Sequence, residues 1–457
     1  MDGPIVLLPV IAILAIAIAT RRTLFAMLCG LCIAAAILSG SASGLVSTLF
    51  NYMYKGMSNE TCQWLILVIV LFGILIKLLE RSRAISEFSL CASRLIRSKR
   101  QALVGTFVLG IVVFIDDYLN NLAVGTTMKG ITDKHGIPRT QLGYVVNSTA
   151  APVCVLLPLS SWAVYFSGLF EADGIVVGGS ATNAYLHAIP LIFYGWFAIA
   201  VLLLQVLGVI PKIGRIKKDW KRADETGHLL PEGYDETVKS GSSDSESAGS
   251  GMSANWHNFL IPLIVMIVVA LLTDTDVLMG VGAGVVVAFL LYLFQKKLKF
   301  KELLTACFDG IMSMGFVCVL SVLAFSVQSA NVDLNLADFV IDSVKPFMNG
   351  GFLPAVVFLV CAVYAYTTGC FWDMAVIVTP IVLPLAQAMG VDPILAGAAV
   401  FSGAAFGSNT CLYGDGIILA SQATGLRAVD LMLATLPYAL IAGGATTVCY
   451  LVAGFAM

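Results

Sequence analysis

What most limits the folds open to this chain is a repeated feature. Apolar runs long enough to cross a bilayer, about 20 residues for roughly 30 Å of hydrocarbon, recur along its whole length. They lie near 4 to 20, 24 to 40, 62 to 79, 101 to 115, 185 to 210, 257 to 273, 277 to 295, 311 to 328, 352 to 367 and 431 to 455. Two further stretches, 116 to 170 and 371 to 424, are apolar but punctuated by Gly, Pro and small polar residues. Of 457 residues only 12% are charged, against roughly 25% in soluble domains. The expectation is an all-α, polytopic membrane protein whose first partner is the lipid bilayer. The first run is not expected to be a cleaved signal, because Arg21 and Arg22 follow it and a second span comes directly after. A net charge of -2 gives no reason to expect a nucleic-acid partner. The cysteines, including Cys29 and Cys32, are scattered through the spans and read as small packing residues.

Between Pro211 and His257 the composition turns charged, with the basic run Lys212 to Arg222, and then rich in Ser and Gly, as expected of a solvated, flexible cytoplasmic linker. The chain then divides into a first membrane half (1–211), a linker (212–256) and a second membrane half (257–457). Nearly equal halves suggest an internal repeat. An offset of 254 superposes Lys134-His135-Gly136-Ile137 on Ala388-Met389-Gly390-Val391, and Ser148, Ala150 and Ala151 on Ser402, Ala404 and Ala405.

Charge carries the repeat further. In the first half, basic residues follow span one (Arg21, Arg22) and span three (Arg81, Arg83, Arg94, Arg97, Lys99, Arg100). Equivalent connections of the second half carry Asp274 and Asp276, then Asp333, Asp338 and Asp342 beside Lys345, while Lys296, Lys297, Lys299 and Lys301 mark the other side. By the positive-inside rule the halves insert in opposite orientations, with the N-terminus outside a bacterial-type plasma membrane. Inverted-topology repeats with broken or re-entrant helices are a construction of secondary transporters, with the substrate site near the midplane.

The broken stretches hold the polar groups. Asp116 and Asp117 are the only formal charges between Arg100 and Lys129, in an interval too long for one span and too short for two. An uncompensated carboxylate in lipid costs roughly 2.5 to 3.5 kcal/mol, so the pair calls for water, a partner or a cation. With amide oxygen from Asn120 and the cluster Asn147, Ser148 and Thr149, it suits a hard cation such as Na⁺, or a protonated amine. Ser160, Ser161 and Trp162 follow two prolines. No Lys or Arg stands between Lys345 and Arg427, and three acids do: Asp373, Asp392 and Asp415. Asp392, before Pro393, reads as a turn residue. Asp373, near Thr368 and Trp372, and Asp415, after Ser408 and Asn409, read as substrate-site candidates. The bland alternatives are structural hydrogen bonds for either Asp and interfacial anchoring for the two tryptophans.

At these residues the chain resembles the NhaC-type Na⁺/H⁺ antiporter family of the ion transporter superfamily. The resemblance rests on Asp116-Asp117-Tyr118, Thr132-Asp133-Lys134, Ser148-Thr149-Ala150-Ala151-Pro152 and Ser160-Ser161-Trp162, which fall in the family's order and spacing. It implies exchange of Na⁺ for H⁺, or movement of amino acids or small carboxylates with or against a cation. It implies no cofactor beyond the coupling ion, a transport domain moving against a scaffold, and a homodimer. The second half departs from the family. Where relatives carry an Asp-His pair, this chain has Ser408-Asn409, and Asp373 is an added acid.

Other classes fit poorly. The four histidines, His135, His187, His228 and His257, cannot make the metalloprotease spacing. Leu412 stands where an intramembrane aspartyl enzyme needs Gly, and no K⁺-filter sequence occurs to make a passive channel. The expectation is therefore a cation-coupled secondary transporter, not an enzyme. Asp116, Asp117, Asn120, Asn147, Ser148 and Thr149 form its ion-coupling set. Ser160, Ser161, Trp162, Thr368, Trp372, Asp373, Ser408, Asn409 and Asp415 form its substrate set. Its cargo is an amine-bearing organic solute such as an amino acid, or Na⁺ and H⁺ alone.

Overall fold

A computed structural model describes residues 4–20, 23–40, 44–84, 87–88, 96–234, 255–273, 276–336, 339, 349–369, 371–412 and 414–456. Apart from one isolated bridge between Val177 and Ser180, all regular structure among them is helical. The first half contains α1 (Leu8–Thr20), α2 (Thr23–Ser39), α3 (Leu45–Ser58), α4 (Glu60–Arg81), α5 (Lys99–Val112), α6 (Asp117–Lys134), α7 (Arg139–Thr149), α8 (Ala151–Cys154), α9 (Ser161–Ala172), α10 (Ala181–Ala188) and α11 (Phe193–Val206). After α12 (Gly214–Thr226) come α13 (His257–Leu272), α14 (Val277–Phe294), α15 (Phe300–Ser313), α16 (Gly315–Asp333), α17 (Leu353–Thr368), α18 (Phe371–Ala388), α19 (Pro393–Thr410), α20 (Asp415–Thr424) and α21 (Ala428–Ala456). Among the described residues, Cys62–Arg81, Gly350–Thr368, Pro393–Thr424 and Ala428–Ala456 are long and apolar enough to span a membrane. Ala181–Leu191 and Phe193–Val206 form a broken or re-entrant helix pair, bent by 47°. Over the described residues, Pro4–Ile13, Leu24–Ser39, His257–Ala270, Leu278–Phe294 and Met374–Ala388 are shorter apolar helices.

The repeat is legible in the element starts. Helices α2, α5, α6, α7 and α9 begin at 23, 99, 117, 139 and 161, and α14, α17, α18, α19 and α20 each begin 254 residues later. Contacts between the halves are reciprocal: α3 packs on α16, and its counterpart α15 packs on α4. Both crossings are made by equivalent glycines. Gly56 lies against the Val322 carbonyl and Ser326, and Gly310, 254 residues on, lies against Gly73 and Ile74.

Ion pairs give the relative direction. Lys55, next to the start of α4, pairs with Asp333 at the end of α16 at 3.1 Å. Arg81, at the end of α4, pairs with Asp309 just before α16 begins. Equivalent helices α4 and α16 therefore run antiparallel, as inverted repeats require. Glu87 pairs with Lys297 at 2.5 Å, which joins the basic connection after α4 to the basic connection after α14 on one side of the molecule.

The expectation of a flexible linker over 212–256 is corrected for its first part. Ile216 and Trp220 of α12 are buried, one turn apart on a face that packs against α7 and α21. Asp219, also buried, pairs with Arg222 at 2.8 Å and accepts from the Thr140 hydroxyl at 2.9 Å. Arg215 reaches Asp430 of α21 at 2.8 Å, and Lys212 sits 3.4 Å over the Trp220 ring. The spacing of Ile213, Ile216 and Trp220 was hidden by the density of charge around it. Arg21, Arg22, Arg94, Asp274, Asp338, Asp342, Lys345 and the Ser-rich segment 240–251 lie outside the described residues.

The crossing glycines give a direct test. A Cβ on Gly310 would lie 2.6 Å from the Gly73 oxygen and the Ile74 Cα, backbone atoms that cannot rotate away. Gly310→Ala should destabilise the protein by about 1–3 kcal/mol, seen as a lower melting temperature in detergent. Gly444→Ala, which meets nothing within 4 Å, should not.

Candidate functional site

The site begins where α5 stops. Val113 leaves helical geometry and Asp116 is extended (φ -154°, ψ 138°), so α6 starts afresh at Asp117. Asp116 caps it: one carboxylate oxygen accepts from the Tyr118 and Leu119 amides, both at 3.0 Å. Its other oxygen accepts from the Ser161 hydroxyl at 2.9 Å. Ser160 caps α9, accepting from the Ala163 amide at 3.0 Å and donating to the Cys154 carbonyl at 2.6 Å. The Ser161 amide donates to the Ile115 carbonyl at 2.8 Å. The break is thus tied to a second helix start.

A break in an apolar bundle leaves carbonyls without water, and each needs a donor. Asn120 supplies it. Its side-chain NH₂ lies within bonding distance of the carbonyls of Gly110 (2.6 Å), Val113 (3.0 Å) and, at the end of α7, Thr149 (3.2 Å). The Thr149 hydroxyl turns back onto the Val145 carbonyl at 2.9 Å. These two members of the expected ion set hold the backbone, although the Asn120 side-chain oxygen stays unpaired.

Asp117 is different. It is 1% exposed, and neither carboxylate oxygen has a hydrogen-bond partner among the described residues. Asn121, four residues on, is buried with its amide oxygen and nitrogen both unpaired. Residues 117, 120 and 121 share one face of α6. Beside Asp117 lie Asp116, Asp415 and the buried Trp162 indole, whose N–H is directed at its carboxylate. Among the described residues no group of three or more His, Cys, Asp or Glu could hold a metal ion. A cation expected at Asp116 and Asp117 would have to draw on asparagine oxygens.

The second half closes the site from the other side. Asn147 donates to both the carbonyl and the side-chain oxygen of Asn409 at 2.8 Å, Ser148 approaches that oxygen at 3.4 Å, and Asn409 donates to the Tyr194 hydroxyl at 2.9 Å. Ser408 is buried with its hydroxyl unpaired. A Cβ on Gly416 would lie 2.8 Å from the Ser408 carbonyl, so only glycine permits α20 to start this close to α19. Asp415 is exposed and accepts from the Tyr118 hydroxyl at 2.7 Å.

Trp162 is fully buried, which rules out interfacial anchoring. It stacks on Phe371 at 5.4 Å and lies 4.7 Å from Trp372, which in turn meets the Tyr165 ring edge-on at 4.8 Å. Thr368 ends α17 with its hydroxyl on the Tyr364 carbonyl at 2.8 Å, and Asp392 caps α19. Asp373 belongs to α18, but its side chain lies outside the described ones. Sequence reasoning assigned no role to Tyr118 or Asn121, though both stand in the string around the carboxylates. Tyr194 sits in an ordinary apolar run that gave no signal.

The model of the family described as Na+/H+ antiporter family matches residues 153–455, well over half of the chain. The chain belongs to that family. Membership in the antiporter family makes it a secondary active cation transporter of the membrane, not an enzyme, with Na⁺ and H⁺ as coupling ions. It is 26% identical to a Haemophilus influenzae protein over 487 residues, covering 98% of this chain and 90% of that one. It is 26% identical over 316 residues to the large permease protein of the Escherichia coli 2,3-diketo-L-gulonate TRAP transporter, covering 65% of this chain and 69% of the permease. Its fold is similar to that of the Alcanivorax borkumensis YdaH transporter, with a TM-score of 0.62 at 14% identity over 90% of this chain and 89% of that one. It also resembles Neisseria gonorrhoeae MtrF, with a TM-score of 0.56 at 13% identity over 90% and 84%.

The Tyr118–Asp415 bond joins the protein's two halves at helix starts equivalent to neither each other nor the Asn147–Asn409 pair. Tyr118→Phe and Asp415→Asn should each slow transport, and the double variant should be no slower than the worse single one. A double-mutant cycle should return a coupling of about 1 kcal/mol.

Proposed function

We propose that this antiporter-family protein couples a Na⁺ or H⁺ gradient to the movement of a small amine-bearing organic solute, with an amino acid as the best-fitting class. The observation that carries the reading is a set of buried, unpaired polar groups of both kinds around the starts of α6, α9 and α20. The Asp117 carboxylate and the Asn120 and Asn121 amide oxygens accept, whereas the Trp162 N–H and the Ser408 hydroxyl donate. A bare cation needs only the acceptors. A zwitterion uses both: its ammonium or the coupling Na⁺ lies against Asp117, and its carboxylate takes the donors. No Lys or Arg occurs from 140 to 211 or from 346 to 426, so no basic side chain of these segments competes for Asp117.

In this reading Asp117, with Asn120 and Asn121, forms the coupling-ion site, and Asp116 with Asn147, Ser148 and Thr149 holds its frame. Ser160 and Ser161 fix the α9 start beside it. Trp162, Trp372, Ser408, Asn409 and Asp415 line the solute side, joined by Thr368 and Asp373. Support also comes from the names of two similar proteins, the Escherichia coli permease of 2,3-diketo-L-gulonate and the Neisseria pump of antimetabolites, both of which handle organic cargo. The second reading, Na⁺/H⁺ exchange with no organic solute, is favoured by the family itself. We place the N-terminus outside a plasma membrane, the basic connections after α4 and α14 in the cytoplasm, and divide the chain into 1–211, 212–256 and 257–457. We further propose that it works as a homodimer.

In proteoliposomes a Na⁺ or proton gradient should drive accumulation of an amino acid, and Asp117→Asn should abolish it without loss of expression, as should Asp373→Asn. Robust Na⁺-driven proton flux with no organic solute present would instead establish the second reading. For the orientation, Arg97→Cys and Asp342→Cys in a cysteine-depleted protein should be modified from opposite sides of the membrane; modification from one side would defeat it.

A further inference from the structure

Away from the site, one face of α5 borders a cavity of about 600 Å³. Its other sides meet α6, α7 and α11. Val104, Gly105, Val108, Leu109 and Val112 form the wall, Phe88 and Ile96 close it, and Ser98, Arg100 and Gln101 stand at one end. The α5 positions recur every three or four residues, so they make a single stripe. Gly105 leaves that stripe without a side chain where Ile96 approaches, since a Cβ there would come within 3.1 Å of the Ile96 terminal carbon.

Among the described residues the cavity is polar at one end only. From Arg100 to Val112 the helix rises about 18 Å, close to the roughly 15 Å of one leaflet of hydrocarbon. Arg100 stands at its mouth, and Arg97 and Lys99 lie beside it in the chain at the start of α5. Arg97 and Arg100 are exposed, while Lys99 is engaged by Asp224 at 3.4 Å. Arg100 gives one N–H to the Leu207 carbonyl at 3.3 Å, leaving the rest of a five-donor group at the mouth.

We propose that this cavity is a binding site for one anionic phospholipid, with an acyl chain along Val104, Val108 and Val112 and the phosphate headgroup on Arg100 and Arg97. Length and apolar lining select an acyl chain over a peptide or a soluble metabolite. The guanidinium groups at the single polar end select an anionic headgroup over a zwitterionic one. The lipid packs against α5, the helix whose end forms the break before Asp116, so its chain abuts the element that leads into the transport site on α6.

The test uses purified full-length protein in detergent. Melting temperature is followed while phosphatidylglycerol, phosphatidylcholine or inorganic phosphate is added, and retained lipid is counted by native mass spectrometry. Phosphatidylglycerol should stabilise the wild type and be retained at one per chain, and the other two should do neither. Arg100→Gln should weaken phosphatidylglycerol about fivefold, and Val108→Trp, which fills the groove, should abolish its retention. Val363→Trp, on the exposed face of α17, serves as the control for tryptophan in the lipid zone and should retain the lipid. Equal stabilisation by phosphatidylcholine, or unchanged retention in both Val108→Trp and Arg100→Gln, would overturn the proposal. If Val108→Trp fails to fold, Arg100→Gln alone decides between the two outcomes.

Discussion

Everything at the centre of this molecule depends on keeping a helix broken where no water can satisfy its backbone. The interruption between α5 and α6 frees the carbonyls of Gly110 and Val113, and one amide, that of Asn120, lies against both and against Thr149 at the end of α7. Asp116 performs the complementary task for the freed amides of α6. With the break satisfied by these two residues, the next acid, Asp117, is not needed for the backbone. It stays buried and unpaired beside the Trp162 N–H. An uncompensated carboxylate in such a place costs several kcal/mol, which a bound cation or proton removes. Local structural work by one acid and one amide therefore makes chemistry possible at the other.

The inverted repeat places this break opposite its counterpart. Starts of α6, α9, α18 and α20 converge: Asp116 meets Ser161, Tyr118 meets Asp415, and Trp162 stacks on Phe371. Helix starts present unpaired amides and a partial positive charge. Four of them around one point favour carboxylates, both those of the protein and that of a zwitterionic solute, without any Lys or Arg.

Much of this was legible in the sequence, for physical reasons that also mark where legibility ends. Span length and polarity are local, so the membrane class and the broken stretches could be read directly. The 254-residue offset, weak as identity around Lys134 and Ser148, recurs in the starts of five pairs of helices, because capping and glycine positions persist when packing residues drift. Charge reversal between the halves found Arg81 and Asp333, and in the fold these face Asp309 and Lys55 across the repeat interface. The Asn147–Asn409 and Tyr118–Asp415 links could not be read. They join residues more than 260 apart, and nothing in either local string names its partner. Helix α12 was hidden for the opposite reason: its local charge is so high that Ile216 and Trp220 gave too faint an apolar period.

The same offset explains why the halves cannot do the same work. Positions equivalent to Asp117, Asn120 and Asn121 are Phe371, Met374 and Ala375, all apolar and all buried. The equivalent of Trp162 is Gly416, where a side chain would strike the Ser408 carbonyl, and the equivalent of Asn409 is Val155. Each half thus carries bulk or polarity where the other is small or apolar, and the two faces interlock. At the interface Lys55 and Arg81 belong to the first half and Asp309 and Asp333 to the second, so a half paired with a copy of itself would set like charges together. Duplication made the frame, and loss of symmetry within it left one polar stripe facing one aromatic wall. An acceptor side and a donor side require that asymmetry, because two identical halves would present the same kind of group from both directions.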